Sequence, residues 1–250
     1  MRLAIVTDCF EENTDSMSKH IARIWTSLKD HHITDYKLII VNLESDTAGT
    51  GVAVEATRQL PHHIEIITVR GNTLALGYLK GIGCAIELGA DKIIEIDSGG
   101  AHRPEEIGRF LKALDKYDTA FSSRFSMGGS NKYPLQRKLI SRLGNSATNF
   151  IFGTQFTDST SGFNGYKATV CKEMLTMFPA ETWVSATRGP YHLYQTEERI
   201  VFDLVARKSG FTFCEVPINY GVDKKGKKLE LKYVFSAFKS LFLLRKAINK

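Results

Sequence analysis

The sequence predicts a single α/β domain in which a mainly parallel central sheet carries helices on both faces. Three observations predict this fold: short β-branched apolar runs, amphipathic segments that alternate with them, and no linker that would divide the chain. The 250 residues are enough to bury a full core as one domain.

Strand-like and helix-like segments alternate regularly in the first half of the chain. Ser16 to Leu28, for example, places Ile21, Ile24 and Trp25 on one helical face. Strands are predicted at Leu3 to Thr7, Tyr36 to Leu43, Ile64 to Val69, Lys92 to Ile96 and Thr119 to Ser122. Further helices are predicted at Leu74 to Leu88 and Glu105 to Leu114. This βαβα order predicts a parallel sheet.

The second half is less regular. Helices are predicted at Leu135 to Phe152, Thr196 to Ser209 and Glu230 to Ile248, a strand at Phe211 to Tyr220, and a polar loop at Asp158 to Gly165. The basic run VDKKGKK separates the last strand from the last helix. We therefore divide the chain into a main domain, residues 1–222, and a basic loop with a C-terminal amphipathic helix, residues 223–250.

Charge and cysteine usage restrict the partners and the compartment. The formal net charge of +6 favours an anionic partner, such as nucleotide phosphates, a lipid phosphate, a membrane surface or nucleic acid. The four cysteines lack metal-ligand spacing and indicate a reducing compartment. The N-terminal apolar run reaches Asp8 too soon for a signal peptide, and no apolar run is long enough to span a membrane. We expect a cytoplasmic protein that can contact a membrane peripherally.

The stretch DKIIEIDSGGAHRP, residues 91–104, carries the strongest indication of a ligand site. A buried strand ends at Asp97, Ser98-Gly99-Gly100 lets the backbone turn, and Pro104 starts a helix. Open α/β sheets bind ligands at the carboxyl ends of such strands. A simple capping turn would produce the same pattern, so this stretch alone leaves both interpretations open.

Four segments extend this indication. They are IIEIDSGGAHRPEEI (93–107), SSRFSMGGSNKYPLQRKLISRLGN (122–145), DSTSGFNGYK (158–167) and GFTFCEVPINY (210–220). In this order they resemble family 2 glycosyltransferases of the Rossmann-like GT-A fold, most closely the dolichol- or polyprenyl-phosphate sugar synthases. The resemblance implies that residues 1–222 form a GT-A domain. It also implies transfer with inversion from a UDP- or GDP-linked sugar to a polyprenyl phosphate.

By this resemblance, Asp97 is the first acid of a metal-binding motif and a catalytic residue. Its carboxylate suits Mg²⁺ or Mn²⁺, which would stabilise the departing diphosphate. Gly99 stands where the family has a second Asp. Either Asp97 holds the metal together with substrate phosphates and water, or metal dependence is weakened.

The resemblance also assigns a nucleotide-sugar site. The segment VTDCFEEN, residues 6–13, takes the place of the family's nucleotide loop but lacks its proline, and an ordinary turn at a strand end is the alternative. In the family, a mobile loop follows the strand that matches EVPI (residues 215–218) and places a lysine over the diphosphate. Lys228 is the candidate for this lysine. The predicted nucleotide-sugar residues are Thr7, Asp8, Phe10, Glu11, Ser98, Gly99 and Lys228.

A group of basic and polar residues forms the predicted acceptor site: Arg124, Arg137, Lys138 and Ser141. Arg137 and Ser141 are four residues apart on one helix and share a face, and the arginine fork suits phosphate oxygens. A solvated basic helix face is the alternative.

Asp158 is predicted to orient or deprotonate the acceptor, and a turn-forming role is the alternative. A phosphate acceptor needs little deprotonation. The family has a buried acid on the helix after Glu197 and Glu198, but the matching position is Val201, so no catalytic acid is assigned there.

Two other functions remain open at this point. The net positive charge and the absence of a membrane-spanning run also fit a soluble glycosyltransferase that acts on a non-lipid acceptor such as a modified DNA base. Gly99 fits a catalytically inactive protein that only binds sugar nucleotides. The C-terminal helix is expected to lie on an anionic membrane, to pack on the domain or to form a homo-oligomer.

Overall fold

A computed structural model describes residues 2–9, 13–42, 47–58, 63–69, 74–180, 194–221 and 231–249. The strands are β1 Leu3–Cys9, β2 Tyr36–Asn42, β3 Ile64–Thr68, β4 Lys92–Ile96, β5 Thr119–Ser123, β6 Ser130–Asn131, β7 Phe163–Lys167, β8 Phe213–Pro217 and β9 Asn219–Tyr220. The helices are α1 Thr14–Asp30, α2 Thr47–Thr57, α3 Leu74–Glu87, α4 Ile107–Leu114, α5 Leu135–Phe152, α6 Ala168–Met177, α7 Tyr194–Ser209 and α8 Leu231–Ile248, with a 3₁₀ turn at Pro104–Glu106.

Seven strands form the central sheet in the order β3-β2-β1-β4-β7-β5-β8. The strands β1 to β4 pair in parallel, as do β5 and β8, whereas β7 is antiparallel to both of its neighbours. The predicted α/β fold with a mainly parallel sheet is therefore confirmed.

Successive side chains along β1 pack alternately into two separate parts of the core. Ala4 and Val6 pack with α3, α6 and α7 on one face of the sheet. Leu3 and Ile5 pack with α1 and α4 on the other. This alternation is the period-2 geometry of a strand that is buried on both faces. The prediction of helices on both faces is confirmed.

The structure departs from the predictions at three places. The helices α2 and α6 were not predicted. The strand β7 begins at Phe163, inside the segment that was predicted to be a loop. Residues 211–220, predicted as one strand, form β8 and β9 in two different sheets. Pro217 ends β8 because proline has no N–H for a ladder hydrogen bond.

The C-terminal helix contacts the core of the main domain. Leu241 and Leu244 of α8 are buried in the same apolar cluster as α3, α6 and α7. The proposed division after residue 222 falls outside the described residues. Within the part of the chain that the structure describes, no helix is long and apolar enough to cross a membrane.

Close packing of α3 on the sheet prepares the site. A Cβ added to Gly81 would lie 2.4 Å from Val6 Cγ1, so only glycine allows the helix to approach β1 this closely. One turn earlier on the same helix, the fully buried Tyr78 carries its hydroxyl to the carboxyl ends of β1 and β4. The tight crossing therefore carries a polar group to the edge where ligands bind in such sheets.

Candidate functional site

Two carboxylates meet at the carboxyl ends of the neighbouring strands β1 and β4. The Tyr78 hydroxyl lies 2.8 Å from Asp8 Oδ1 and 2.9 Å from Asp97 Oδ1. The backbone N–H of Ser98 donates to Asp8 at 2.8 Å, and the Ser98 hydroxyl donates at 3.2 Å. Burial raises the pKa of Asp8, although these hydrogen bonds oppose the rise. Tyr78 has one hydroxyl proton, so it can donate to only one of the two acids at a time.

Thr7 joins the same two strand ends. Its hydroxyl donates to the carbonyl of Ile96 at 2.8 Å and lies 3.0 Å from His20 Nε2. The Thr7 side chain is fully buried and Ser98 is nearly so. Both hydroxyls therefore already make hydrogen bonds inside the protein. The nucleotide contacts predicted for Thr7 and Ser98 stay predictions, and the backbone atoms of these residues would make them. The predicted residues Phe10, Glu11 and Lys228 lie outside the described residues.

Asp97 is the more accessible of the two acids, with 28% of its side chain exposed. A Cβ added to Gly162 would lie 2.3 Å from Asp97 Oδ2, so the carboxylate rests directly on this glycine backbone. The Asp97 N–H also donates to the Gly162 carbonyl at 3.2 Å. Gly162, the glycine of the DSTSGF segment, has no side chain, and the Asp97 carboxylate occupies the space that a side chain would fill.

Gly99 is not required by the local backbone. A Cβ built at this position meets no atom within 4 Å, whereas Gly100 has a φ of +80° that disfavours any other residue. In the described part of the chain, no three His, Cys, Asp or Glu residues are grouped to hold a metal. The Asp97 carboxylate is a suitable hard donor for Mg²⁺, which commonly takes few protein ligands and several waters. The residues therefore fit a metal held by one acid with substrate oxygens.

A buried ion pair joins two of the predicted site residues. Arg124 Nε and Nη2 each donate to the carboxylate of Asp158 at 2.7 Å, and the Arg124 N–H donates at 2.9 Å. Burial alone would raise the pKa of Asp158, but the charge of Arg124 outweighs it and lowers the pKa to about 2. Asp158 is therefore ionised at neutral pH and is too weak a base to remove a proton from a sugar or alcohol.

Arg199 lies fully buried beneath this pair, a feature that the sequence analysis did not find. Its Nη2 donates to the carbonyls of Ser122 and Ser161 at 2.8 and 2.9 Å and to Asn164 Oδ1 at 2.9 Å. Its Nη1 donates to the carbonyl of Asp158. Arg199 therefore ties β5, β7 and the loop of the ion pair together from inside the protein.

A chain of hydroxyls connects Arg199 with His102. Arg199 Nη2 lies 3.2 Å from Ser122 Oγ, Ser122 Oγ donates to Ser161 Oγ at 2.6 Å, and Ser161 Oγ lies 3.2 Å from His102 Nε2. Arginine can only donate, so the chain is consistent when each hydroxyl donates to the next, Nε2 of His102 accepts, and His102 carries its proton on Nδ1.

His102 therefore presents an N–H to the first acid of the site. Nδ1 lies 3.7 Å from Asp97 Oδ2. Burial and the charge of Arg124 lower the pKa of His102 to about 3, so the ring is neutral at pH 7. The His-x-Pro part of residues 93–107 was the sequence signal for this residue, although His102 was not assigned a role.

The helix α7 buries acids that were left unassigned. Val201, the position that matches the family's acid, is fully buried and apolar, but Glu197 and Glu198 are also fully buried. Burial, together with the charge of Glu198, raises the pKa of Glu95 well above its usual value. Glu95 lies on β4, two residues before Asp97, so this carboxyl group lies in the core behind the site.

Aromatic rings link Arg137 with Arg124. The Arg137 guanidinium lies 3.7 Å from the ring centre of Tyr133, the Tyr133 and Tyr220 rings are 5.6 Å apart, and Arg124 lies 5.1 Å from Tyr220. This ladder brings two predicted acceptor residues to one region. Lys138 and Ser141 lie on the same helix, α5, and are half-buried.

The fold and the polar groups at its strand ends define a class of protein: an α/β protein whose ligand site is expected at the carboxyl ends of its strands. The sequence model of Glycosyl transferase family 2 matches residues 4–175, more than half of the chain. The chain therefore belongs to glycosyltransferase family 2, and the resemblance seen in its sequence is confirmed.

Individual relatives agree with this assignment. The chain is 29% identical over 197 residues to polyprenol monophosphomannose synthase of Mycolicibacterium smegmatis, covering 76% of this chain and 69% of that protein. It is 26% identical over 169 residues to undecaprenyl-phosphate mannosyltransferase of Micrococcus luteus, covering 67% of each. A crystal structure of 4-diphosphocytidyl-2C-methyl-D-erythritol synthase from Anaerococcus prevotii covers 95% of this chain and 97% of that one. Its TM-score of 0.53 at 10% identity shows a shared fold alone.

Proposed function

We propose that this glycosyltransferase moves a sugar from a UDP- or GDP-linked donor to a polyprenyl phosphate, with inversion at the anomeric carbon. The observation that carries the proposal is the arrangement of Asp97 at the end of β4 with the Arg124–Asp158 pair and the Arg137 ladder nearby. A carboxylate for a metal and separate arginines for a phosphate are the two kinds of group that such a transfer needs.

The acceptor chemistry agrees with the state of Asp158. In a single displacement, an acceptor phosphate oxygen forms a bond to the anomeric carbon while the bond to the diphosphate breaks, and the nucleoside diphosphate leaves with the electron pair. A phosphate oxygen is already ionised at neutral pH, so no base is required. Asp158, held by Arg124 with a pKa of about 2, would therefore position groups rather than remove a proton.

Asp97 and His102 would act on the donor side. A divalent metal, when bound, supplies positive charge that stabilises the departing diphosphate. Asp97 would hold this metal, with the His102 ring beside its carboxylate at 3.7 Å from Nδ1 to Oδ2, beyond hydrogen-bond distance. The neutral state of His102 leaves the negative charge of Asp97 available to the metal.

A transfer assay tests the acceptor class directly. Purified protein is incubated with Mn²⁺, radiolabelled GDP-mannose or UDP-glucose, and undecaprenyl phosphate in detergent. We expect a labelled lipid product with one of the donors and no product with undecaprenol, which lacks the phosphate. NMR of the product's anomeric proton tests inversion.

The same assay separates the two rival functions. Transfer to duplex DNA that contains 5-hydroxymethylcytosine, with none to the lipid phosphate, would replace the proposed acceptor. Nucleotide binding without turnover on any acceptor would indicate an inactive sugar-nucleotide-binding protein.

Gly99→Asp is expected to strengthen metal binding by at least about tenfold, because a second carboxylate adds charge and a ligand to the site. The open space around Gly99 admits the side chain without strain. Calorimetric titration with Mn²⁺ in the presence of the nucleoside diphosphate measures the effect. Gly51→Asp in α2, which also meets no neighbour within 4 Å, is the control for added charge. Equal Mn²⁺ affinity in the wild type and Gly99→Asp would place the metal elsewhere.

A further inference from the structure

The helix α5 has an inverted pattern in which large apolar side chains face solvent. Leu135, Leu139, Leu143 and Phe150 are 82%, 58%, 62% and 92% exposed. At 100° per residue their spacings of four, four and seven residues place them on one side of the helix. We name these four residues the α5 apolar face.

Polar groups beside this face attach α5 to the protein. Asn145 is buried, donates to the carbonyl of Thr157 at 2.7 Å, and accepts from the hydroxyl of Ser159 at 2.7 Å. One turn later, Asn149 donates to the carbonyl of Phe156 at 2.8 Å. These contacts fix the rotation of the helix, so the apolar face is held outward by the fold.

The sequence on and beside α5 carries basic residues, of which Arg124 is buried and paired with Asp158. Between residues 119 and 157 the sequence has five basic residues and no acidic one: Arg124, Lys132, Arg137, Lys138 and Arg142. Lys138 and Arg142 are four residues apart and border the apolar face on one side. An outward apolar stripe beside basic side chains is the pattern of a helix that lies in the surface of an anionic membrane.

We propose that the α5 apolar face inserts into the surface of an anionic lipid bilayer and that Lys138 and Arg142 contact its headgroups. The inference rests on the proposed function in one respect: Arg137 and Ser141, on the other side of the same helix, would then lie just above the bilayer surface, within reach of a lipid phosphate. The membrane contact expected of the C-terminal helix stays a prediction: Leu241 and Leu244 of α8 are buried in the core and Phe242 is 60% exposed. We assign the main contact to α5.

Vesicle flotation tests this surface without any sugar donor. The wild type is expected to bind vesicles of phosphatidylcholine with 30 mol% phosphatidylglycerol and to bind phosphatidylcholine alone at least about tenfold more weakly. The double variant Leu139→Glu/Leu143→Glu is expected to bind the anionic vesicles at least about tenfold more weakly than the wild type, with unchanged thermal unfolding because both positions are exposed. Phe242→Glu on α8, at a position 60% exposed, is the matched control and should bind like the wild type.

A second readout links the surface to catalysis. The double variant should keep wild-type activity on a water-soluble, short-chain prenyl phosphate and lose it on undecaprenyl phosphate embedded in vesicles. Wild-type vesicle binding by the double variant, or equal losses from Phe242→Glu, would overturn the proposal. So would a wild-type dimer in size-exclusion chromatography that the double variant dissociates. If no prenyl phosphate is a substrate, the proposed acceptor is refuted. The vesicle flotation result alone then decides whether the α5 apolar face binds a membrane.

Discussion

Asp97→Asn is expected to lower the rate constant for sugar transfer by about a thousandfold. The substitution keeps the size of the side chain and its contact with Tyr78 at 2.9 Å but removes the negative charge that would hold a metal against the diphosphate. A metal supplies several kcal/mol of charge stabilisation to a transition state, and about 1.4 kcal/mol corresponds to a factor of ten in rate. Single-turnover transfer at saturating donor, over a range of Mn²⁺ concentrations, measures the loss.

The control for this variant lies at the other end of the same strand. Asp91 immediately precedes β4, and its carboxylate accepts the Arg2 N–H at 2.8 Å. Asp91→Asn removes the same charge far from the carboxyl end of the sheet and should retain nearly all activity. Near-normal transfer by Asp97→Asn, with an unchanged Mn²⁺ requirement, would remove Asp97 from the centre of the mechanism.

Asp158→Asn is expected to lower the free energy of unfolding by about 3 kcal/mol at pH 7. The variant leaves the guanidinium of Arg124 buried without its counter-charge, and breaking a buried pair in this way typically costs 3–5 kcal/mol. Urea unfolding followed by circular dichroism measures the change. Asp15→Asn breaks the ion pair with Lys19, in which the two side chains are 76% and 69% exposed, and should cost less than about 1 kcal/mol.

The pH dependence provides an independent check on the same pair. The pKa of Asp158 falls from an ordinary value of 3.8 to about 2 in the folded protein. Its contribution to stability is therefore complete above pH 3.8 and is lost as the pH falls towards 2. The difference between wild type and Asp158→Asn should shrink over this range. A difference that stays constant from pH 5 to pH 2, or a loss below 1 kcal/mol at pH 7, would contradict the strong ion pair.

Local patterns in the sequence were enough to predict most of the sheet. The strands β1 to β4 are short β-branched runs, and the period of Ser16 to Leu28 marks α1, because burial on a strand or helix leaves a pattern in neighbouring residues. The order of these elements predicted parallel pairing. The quoted motifs were enough to identify the family and to place Asp97 at the end of β4.

The tertiary structure alone decided the pairing of β7 and the partners of the buried polar groups. FNGYK, the sequence of β7, has no alternating apolar pattern, and it forms a strand because it fills the gap between β4 and β5. Arg199 is 77 residues from Ser122 and 38 from Ser161 along the chain. A hydrogen bond between such distant residues leaves no local pattern. Sequence periodicity reports whether a side chain is buried, and only the fold reports which polar group it meets there.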